Sequence, residues 1–324
     1  MHGPFEIFGI EFPAYFTLLM LGYMLAVYVA VRVGAKNGIN PTKIVDLSIL
    51  MLVGGVLGCR IAHVLFDGQL MNYYYWCVDP LRSTGEFLGS STPCLDDQQC
   101  VDASVGDICH PIQGTCHRGQ DCWLSLKFWY GGLTFYGGLL MCIPLGIWFM
   151  RKKDLPVWKV TDLCGFAIPL GLGFGRLGCW FSGCCFGDLS DHALSVSFPN
   201  GSMAWLQHFE LSLIEATDGS MPVHPTQLYS AFSNWLIFAF TYWWYKRRKT
   251  FDGEVFWLFI LLYSVSRFVI EIWRADDRGA LATISTSQWI GVALLLLSIR
   301  MLQSLYQKSL APTTSNPVES QPSG

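Results

Sequence analysis

Seven stretches of roughly 20 or more residues, 13–33, 45–66, 128–150, 156–181, 225–245, 253–272 and 287–305, are predominantly apolar. A helix rises about 1.5 Å per residue, so about 20 apolar residues are what the hydrocarbon of a bilayer demands of a spanning segment. Only 14% of the 324 residues are charged and 52% are hydrophobic, against about 25% charged in soluble domains. The chain reads as a polytopic membrane protein. Twenty-one basic and 24 acidic side chains leave a formal charge of −3, which provides no basic surface for nucleic acid. The first stretch has no Lys or Arg ahead of it and no small-residue cleavage site after it, so it reads as a retained span and not a signal peptide.

Basic residues set the expected orientation. With the N-terminus outside, the cytoplasmic side collects Arg32, Lys36, Lys43, Arg151–Lys153, Lys159, Lys246–Lys249, Arg300 and Lys308, while the loop 182–224 holds no Lys or Arg. The expected fold is therefore an all-α membrane protein with seven transmembrane helices, N-out/C-in. Its membrane domain covers 1–310, with an extracytoplasmic Cys-rich loop at 67–127 and a head loop at 182–224. The Pro/Ser/Thr-rich segment 311–324 reads as a disordered cytoplasmic tail.

Six of the 12 cysteines, Cys77, Cys94, Cys100, Cys109, Cys116 and Cys122, lie between spans two and three. None has zinc-knuckle spacing, and that loop is assigned outside, so an oxidising compartment implies three disulfides with the connectivity open. Reduced or metal-bound thiols are the alternative. Cys59, Cys142 and Cys164 lie inside spans and read as apolar packing residues. Cys179, Cys184 and Cys185 are expected to form a structural disulfide, the alternative being a free thiol beside Arg176.

Arg60, Arg176 and Arg267 belong to no loop. An ionisable group inside a span is costly unless it is paired or lines a polar cavity. By the expected orientation all three lie in the outer halves of spans two, four and six, level with Tyr15 and Tyr136 at the outer ends of spans one and three. Tyr263, Arg267, Glu271 and Arg274 follow at i, i+4, i+8 and i+11, which keeps them on one helix face. Polar groups gathered at one depth suit a cavity for an anionic lipid headgroup, with guanidinium forks on its phosphate. Helix–helix salt bridges and snorkelling are the bland alternative.

Five motifs accompany these residues: GGVLGCRIAHVLF at 54–66, GGLTFYGG at 131–138, GFGRLGCWFSGCCFG at 173–187, HPTQLY at 224–229 and RFVIEIWRAD at 267–276. Glycine pairs admit close backbone approach, either of a ligand or of a neighbouring helix. Together, in this order, the motifs resemble those of the bacterial prolipoprotein diacylglyceryl transferases from Tyr15 to about Asp277. The resemblance implies an integral enzyme of the cell inner membrane, multi-pass, with its active site facing the outer leaflet. It implies transfer of a diacylglyceryl group from phosphatidylglycerol to the lipobox cysteine of a preprolipoprotein signal peptide, releasing glycerol phosphate. Arg176 falls on the signature arginine of that family, and Tyr15, Tyr263, Arg267, Glu271, Gly187 and His224 fall on family positions. Arg60 is added to the substrate-binding set on its own account, and no metal or cofactor is called for.

The chain also departs from the pattern. Tyr136 stands where the family has the histidine assigned to thiol activation, and Cys179 and Cys184 replace the signature Asn and Glu. The expected catalytic set, on that resemblance, is Tyr136, Arg176 and Arg267, with His63, His192 and His224 as other imidazoles that could serve. Two other functions remain open: the same lipid pocket acting on a different acceptor, and a non-catalytic lipid-binding protein whose Cys-rich loop docks a partner.

Overall fold

The computed structural model describes residues 5–7, 10–12, 14–82, 94–102, 107–109, 116–117, 119–127, 133–215, 218–274, 280–281 and 284–310. The tail 311–324, Gly131, Gly132 and the expected start of the third span lie outside the described residues. The described helices are α1 (Ala14–Lys36), α2 (Pro41–Phe66), α3 (Leu70–Val78), α4 (Asp97–Asp102), α5 (Phe135–Lys152), α6 (Val157–Ser182), α7 (Met203–Glu210), α8 (Thr226–Arg247), α9 (Glu254–Ile270) and α10 (Thr286–Leu310). Three short antiparallel pairs are β1 (Phe5–Ile7) with β2 (Ile10–Phe12), β3 (Ile108–Cys109) with β4 (Cys116–His117), and β5 (Ala280–Leu281) with β6 (Ile284–Ser285).

Helices α1, α2, α5, α6, α8, α9 and α10 occupy the seven apolar stretches. Five are long and apolar enough to cross a membrane: α1, α2, α6, α10, and α9 together with the 3-10 turn that carries it to Trp273. α5 has 18 residues and ends on Arg151 and Lys152. α8 carries Gln227, Ser230, Ser233, Asn234 and Thr241, which lower its apolarity. On length and composition these two fall short of the seven spans expected.

Helix ends follow local chemistry. Gly38 turns the chain after α1 at φ 77°, and Asn40 Oδ1 accepts the Thr42 N–H at 2.9 Å ahead of Pro41, the first residue of α2. Three helices end with a cation over an aromatic ring one turn back: Arg32 over Tyr28, Lys152 over Trp148 and Lys246 over Tyr242, at 4.7–5.1 Å. Such pairs complement the helix C-terminal dipole and suit a membrane–water boundary.

Two compact units are distinguishable: 1–44 with 156–324, and 45–155. In the first, α6 meets its neighbours through small residues. A Cβ on Gly22 of α1 would lie 2.5 Å from the Phe174 side chain, and one on Gly165 would lie 2.7 Å from the Val255 backbone of α9. Asp162 of α6 is fully buried. It accepts the N–H groups of Gly253, Val255 and Phe256 at 2.8–3.1 Å, capping the start of α9, and it meets Lys249 Nζ at 2.8 Å. The head between α6 and α8 has its own small core of Phe186, Phe198, Ala204 and Val223.

In the second unit, α2 and α5 cross where Gly58 faces the Gly137 carbonyl, and a Cβ on Gly58 would lie 2.6 Å from it. Close crossing through small residues is how membrane helices gain packing without a hydrophobic drive. On α2, Ile49, Val53, Leu57, Ile61 and Leu65 are each about half exposed at four-residue intervals, a face fit for hydrocarbon. The loop cysteines form three disulfides, Cys77–Cys122, Cys94–Cys109 and Cys100–Cys116.

Candidate functional site

The candidate site lies in the first unit, where α6 ends. Gly183 adopts φ 64° and closes the helix by donating its N–H to Trp180 and Cys179 carbonyls. A glycine in this left-handed conformation is the usual helix stop, because it carries no Cβ penalty. Cys185 also sits at φ 60°, unusual for a residue with a side chain. The carbonyls of Cys184 and Cys185 are held from the start of α8, by Gln227 Nε2 at 2.8 Å and Thr226 Oγ1 at 2.9 Å. The turn is thus fixed from both sides.

Arg176 projects from α6 about two turns before this stop and is half-buried. Its charge acts on Tyr15, Cys179 and Cys185, and on Arg267 of α9. Arg267 Nη2 meets Glu271 Oε2 at 2.8 Å. Its Nη1 is buried and has no hydrogen-bond partner among the described residues. The other oxygen of Glu271 is held by Ser285 Oγ at 3.2 Å and by Ser287 Oγ. Arg274 Nε lies 4.0 Å from Glu271 Oε2 and is buried. Two guanidinium groups therefore flank one carboxylate, while the charge of Arg176 and the hydroxyl of Tyr263 act on Arg267. An excess of positive charge with one buried donor uncommitted is a site for an anion.

The predicted helix face does not run straight through. α9 stops at Ile270, continues as a 3-10 turn over Glu271–Trp273, and Arg274 is extended. The Arg267–Glu271 pair survives because i, i+4 spacing still holds across the junction. Arg274 turns instead into an antiparallel bridge with Gly187.

Gly187 is a junction. Its N–H donates to the His224 carbonyl at 2.9 Å, and a Cβ there would lie 2.7 Å from His224 Cβ and 2.8 Å from Thr226 Cγ2. The close approach that requires glycine is to protein. His224 Nδ1 is 3.4 Å from the Tyr229 hydroxyl, and its ring lies beside His192 and Trp273 with centroids 6.5 Å away. His224 is thus built into the strip joining the head to the Arg274 segment.

Arg60 and Tyr136 belong to the second unit. Expected at the substrate, Arg60 is 6% exposed. It donates from Nε to the Ser125 carbonyl and from Nη2 to the Leu124 carbonyl, both at 2.7 Å, with its guanidinium 5.0 Å over the Tyr73 ring. Two of its donors are spent on the Cys-rich loop. His63 points to Asp67 at 3.0 Å. The Asp67 carboxyl is held below its usual range chiefly by the Thr134 hydroxyl, with His63 adding to the effect. Tyr136 is half-exposed in the first turn of α5, edge-on to Phe135. The glycines that follow it, Gly137 and Gly138, pack against α2 instead of lining a ligand.

The disulfide expected among Cys179, Cys184 and Cys185 is not formed. All three are free, and their sulfur atoms lie within 4.8 Å of one another. With three sulfurs converging, hydrogen bonds among the thiols take the place of a covalent pair. Bonds from Cys179 and Cys184 pull the Cys185 thiol far below its ordinary range, aided by Arg176 and Arg274, and push that of Cys184 correspondingly up. Asp162 was also absent from the sequence reading; an acidic residue near the start of the fourth apolar stretch was its only signal.

Residues 3–85 and 109–303 match the family model described as LGT: Prolipoprotein diacylglyceryl transferase. The chain is 26% identical over 295 residues to the phosphatidylglycerol–prolipoprotein diacylglyceryl transferase of Clostridium tetani, covering 91% of this chain and 94% of the relative. It is 26% identical over 313 residues to the protein of that name from Geobacter sulfurreducens, covering 95% and 96%. The one from Buchnera aphidicola is 32% identical over 193 residues, covering 57% and 69%. The segment the family model leaves unmatched between its two parts holds Cys94 and Cys100, which bond to Cys109 and Cys116 in the matched part.

Proposed function

The chain belongs to the prolipoprotein diacylglyceryl transferase family, and from that premise we propose that it moves a diacylglyceryl group from phosphatidylglycerol to the lipobox cysteine thiol of a preprolipoprotein. The sulfur forms a bond to the glyceryl carbon as the C–O bond to phosphate breaks. The thiol proton passes to the departing phosphate, directly or through solvent, and the electron pair of the broken bond leaves with glycerol phosphate. Negative charge grows on the phosphate, and fixed guanidinium groups in a dry site stabilise it there.

The observation that carries this reading is the buried, uncommitted Nη1 of Arg267. Glu271 holds the other end of that guanidinium, so Nη1 is pre-oriented for a phosphate oxygen. Arg176 supplies the second cation, and Tyr15 and Tyr263 orient the headgroup. We further propose seven spans with the N-terminus outside, placing the arginines at the outer leaflet of the cell membrane. The basic residues closing α1, α5, α8 and α10 support that orientation.

The test is expression in a strain depleted of its own transferase, with thioether formation on a lipobox peptide measured in phosphatidylglycerol vesicles. Growth together with thioether product supports the reading, and correct membrane insertion without product overturns it. The disulfide-closed segment outside the family match favours a second reading, in which the same lipid pocket serves another acceptor. Release of glycerol phosphate without modification of the lipobox peptide would select that one.

A further inference from the structure

Two groups of cysteines among the described residues bring three sulfurs within ligand distance of one another: Cys94, Cys100 and Cys109, and Cys179, Cys184 and Cys185. The first is fully explained by disulfides in the Cys-rich loop. The second is not, since all three of its members are free.

We propose that Cys179, Cys184 and Cys185 form a three-thiolate site for a single soft divalent metal ion of the zinc class, at the end of α6. Three sulfurs bound to one tetrahedral ion at about 2.3 Å lie about 3.8 Å apart. The sulfurs here already lie within 4.8 Å of one another, so a contraction of at most about 1 Å closes the shell. The number is telling as well. Any disulfide drawn from three cysteines leaves one over, whereas three is a complete protein donor set for a metal that keeps its fourth position open.

The backbone is arranged to hold the cluster. Cys179 comes from the last turn of α6, and Gly183 at φ 64° folds the chain back over it. Cys185 is held at φ 60°, a conformation disfavoured for a residue with a Cβ. The Gln227 and Thr226 bonds to the Cys184 and Cys185 carbonyls keep it there. This rigidity is what a metal site requires of its supporting residues.

Charge balances. Binding one divalent ion displaces to solvent whatever protons the three sulfurs still carry, with no electron transfer, and leaves the ion with three thiolates at a net −1. Arg176 on the last turns of α6 and the buried Arg274, bridged to Gly187 two residues beyond Cys185, supply positive charge near the cluster. The site stands beside the Arg267–Glu271 pair and does not depend on the transferase reading.

The experiment uses the purified full chain in detergent, reduced mildly enough to keep the loop disulfides, with Cd2+ as the probe. The thiolate-to-metal absorption should saturate at one Cd2+ per chain. Cys184→Ser and Cys185→Ser should each weaken binding at least tenfold. Cd2+ should also protect Cys179, Cys184 and Cys185, and not Cys59 or Cys142, from alkylation read by mass spectrometry. Absence of the absorption in protein whose three thiols are demonstrably reduced overturns the site. So does an undiminished signal in Cys185→Ser, or a disulfide among the three in protein prepared without reductant. Should a serine variant fail to fold, alkylation of the wild-type chain decides alone: protection supports the site and unchanged labelling overturns it.

Discussion

Arginine is used in two opposite ways in this molecule, and what each guanidinium already touches tells them apart. Arg267 keeps Nη1 buried and unpartnered among the described residues, whereas Arg60 spends Nε and Nη2 on backbone carbonyls. Arg176→Lys and Arg267→Lys keep the charge but lose the two-pronged fork, and each should cut thioether formation by at least tenfold in a vesicle assay. Thermal stability in detergent should change little. If both variants lost stability in proportion to activity, these arginines would be packing residues only. Arg60→Met should act elsewhere: a charged hydrogen bond contributes about 1.5–3 kcal/mol, so amide hydrogen exchange at 119–127 should quicken markedly. A drop in phosphatidylglycerol affinity with unchanged exchange there would instead place Arg60 at the lipid site. The three intramembrane arginines were visible in the sequence as a class, but the sequence carries no record of which carbonyl comes within 2.7 Å.

At the scale of elements, the junctions carry most of the polar chemistry. Asp162 ties α6 to the start of α9 through three backbone N–H groups and Lys249. Burial pulls the Lys249 ammonium down, but Asp162 and Asp252 outweigh it and leave it above its usual value. Removing one partner of a buried pair strands the other, so Asp162→Ala should cost about 3–5 kcal/mol. Thermal unfolding in detergent would register this as a lower Tm, and an unchanged Tm would refute the role.

The head carries a titratable counterpart on α7. His208 is buried, its Nδ1 accepts the Met221 N–H at 3.1 Å, and burial lowers its pKa below the usual 6.5. A base depressed in the folded state takes up its proton more readily once unfolded. Its contribution is therefore present above about pH 6.5 and lost as pH falls toward the folded value. Hydrogen exchange over 203–224 should rise on acidification below that point, and His208→Gln should flatten the dependence. These junctions were only half legible: the stop at Gly183 follows from residue type, but Asp162 reaches α9 across more than 90 residues of sequence.

For the molecule as a whole, the proposed topology makes a direct prediction. A reporter active only in the cytoplasm should work when fused after Lys249 and fail when fused within 182–224; the reverse pattern would remove the outer-leaflet site along with the orientation. Apolar stretches, charge bias and cysteine number are properties of the chain read in one dimension. A bilayer sorts segments by length and apolarity, so the sequence alone determined the helical membrane plan and the places of its long helices. It determined the family too, through motifs kept in order from Tyr15 to Asp277. Tertiary structure alone decided how the polar groups are spent. Within the first unit it bridged Arg274 to Gly187 and gathered three free thiols at one helix end, and within the second it set Arg60 on the carbonyls of Leu124 and Ser125. Hydrogen bonds and ion pairs act over about 3 Å, and only the fold brings distant residues that close.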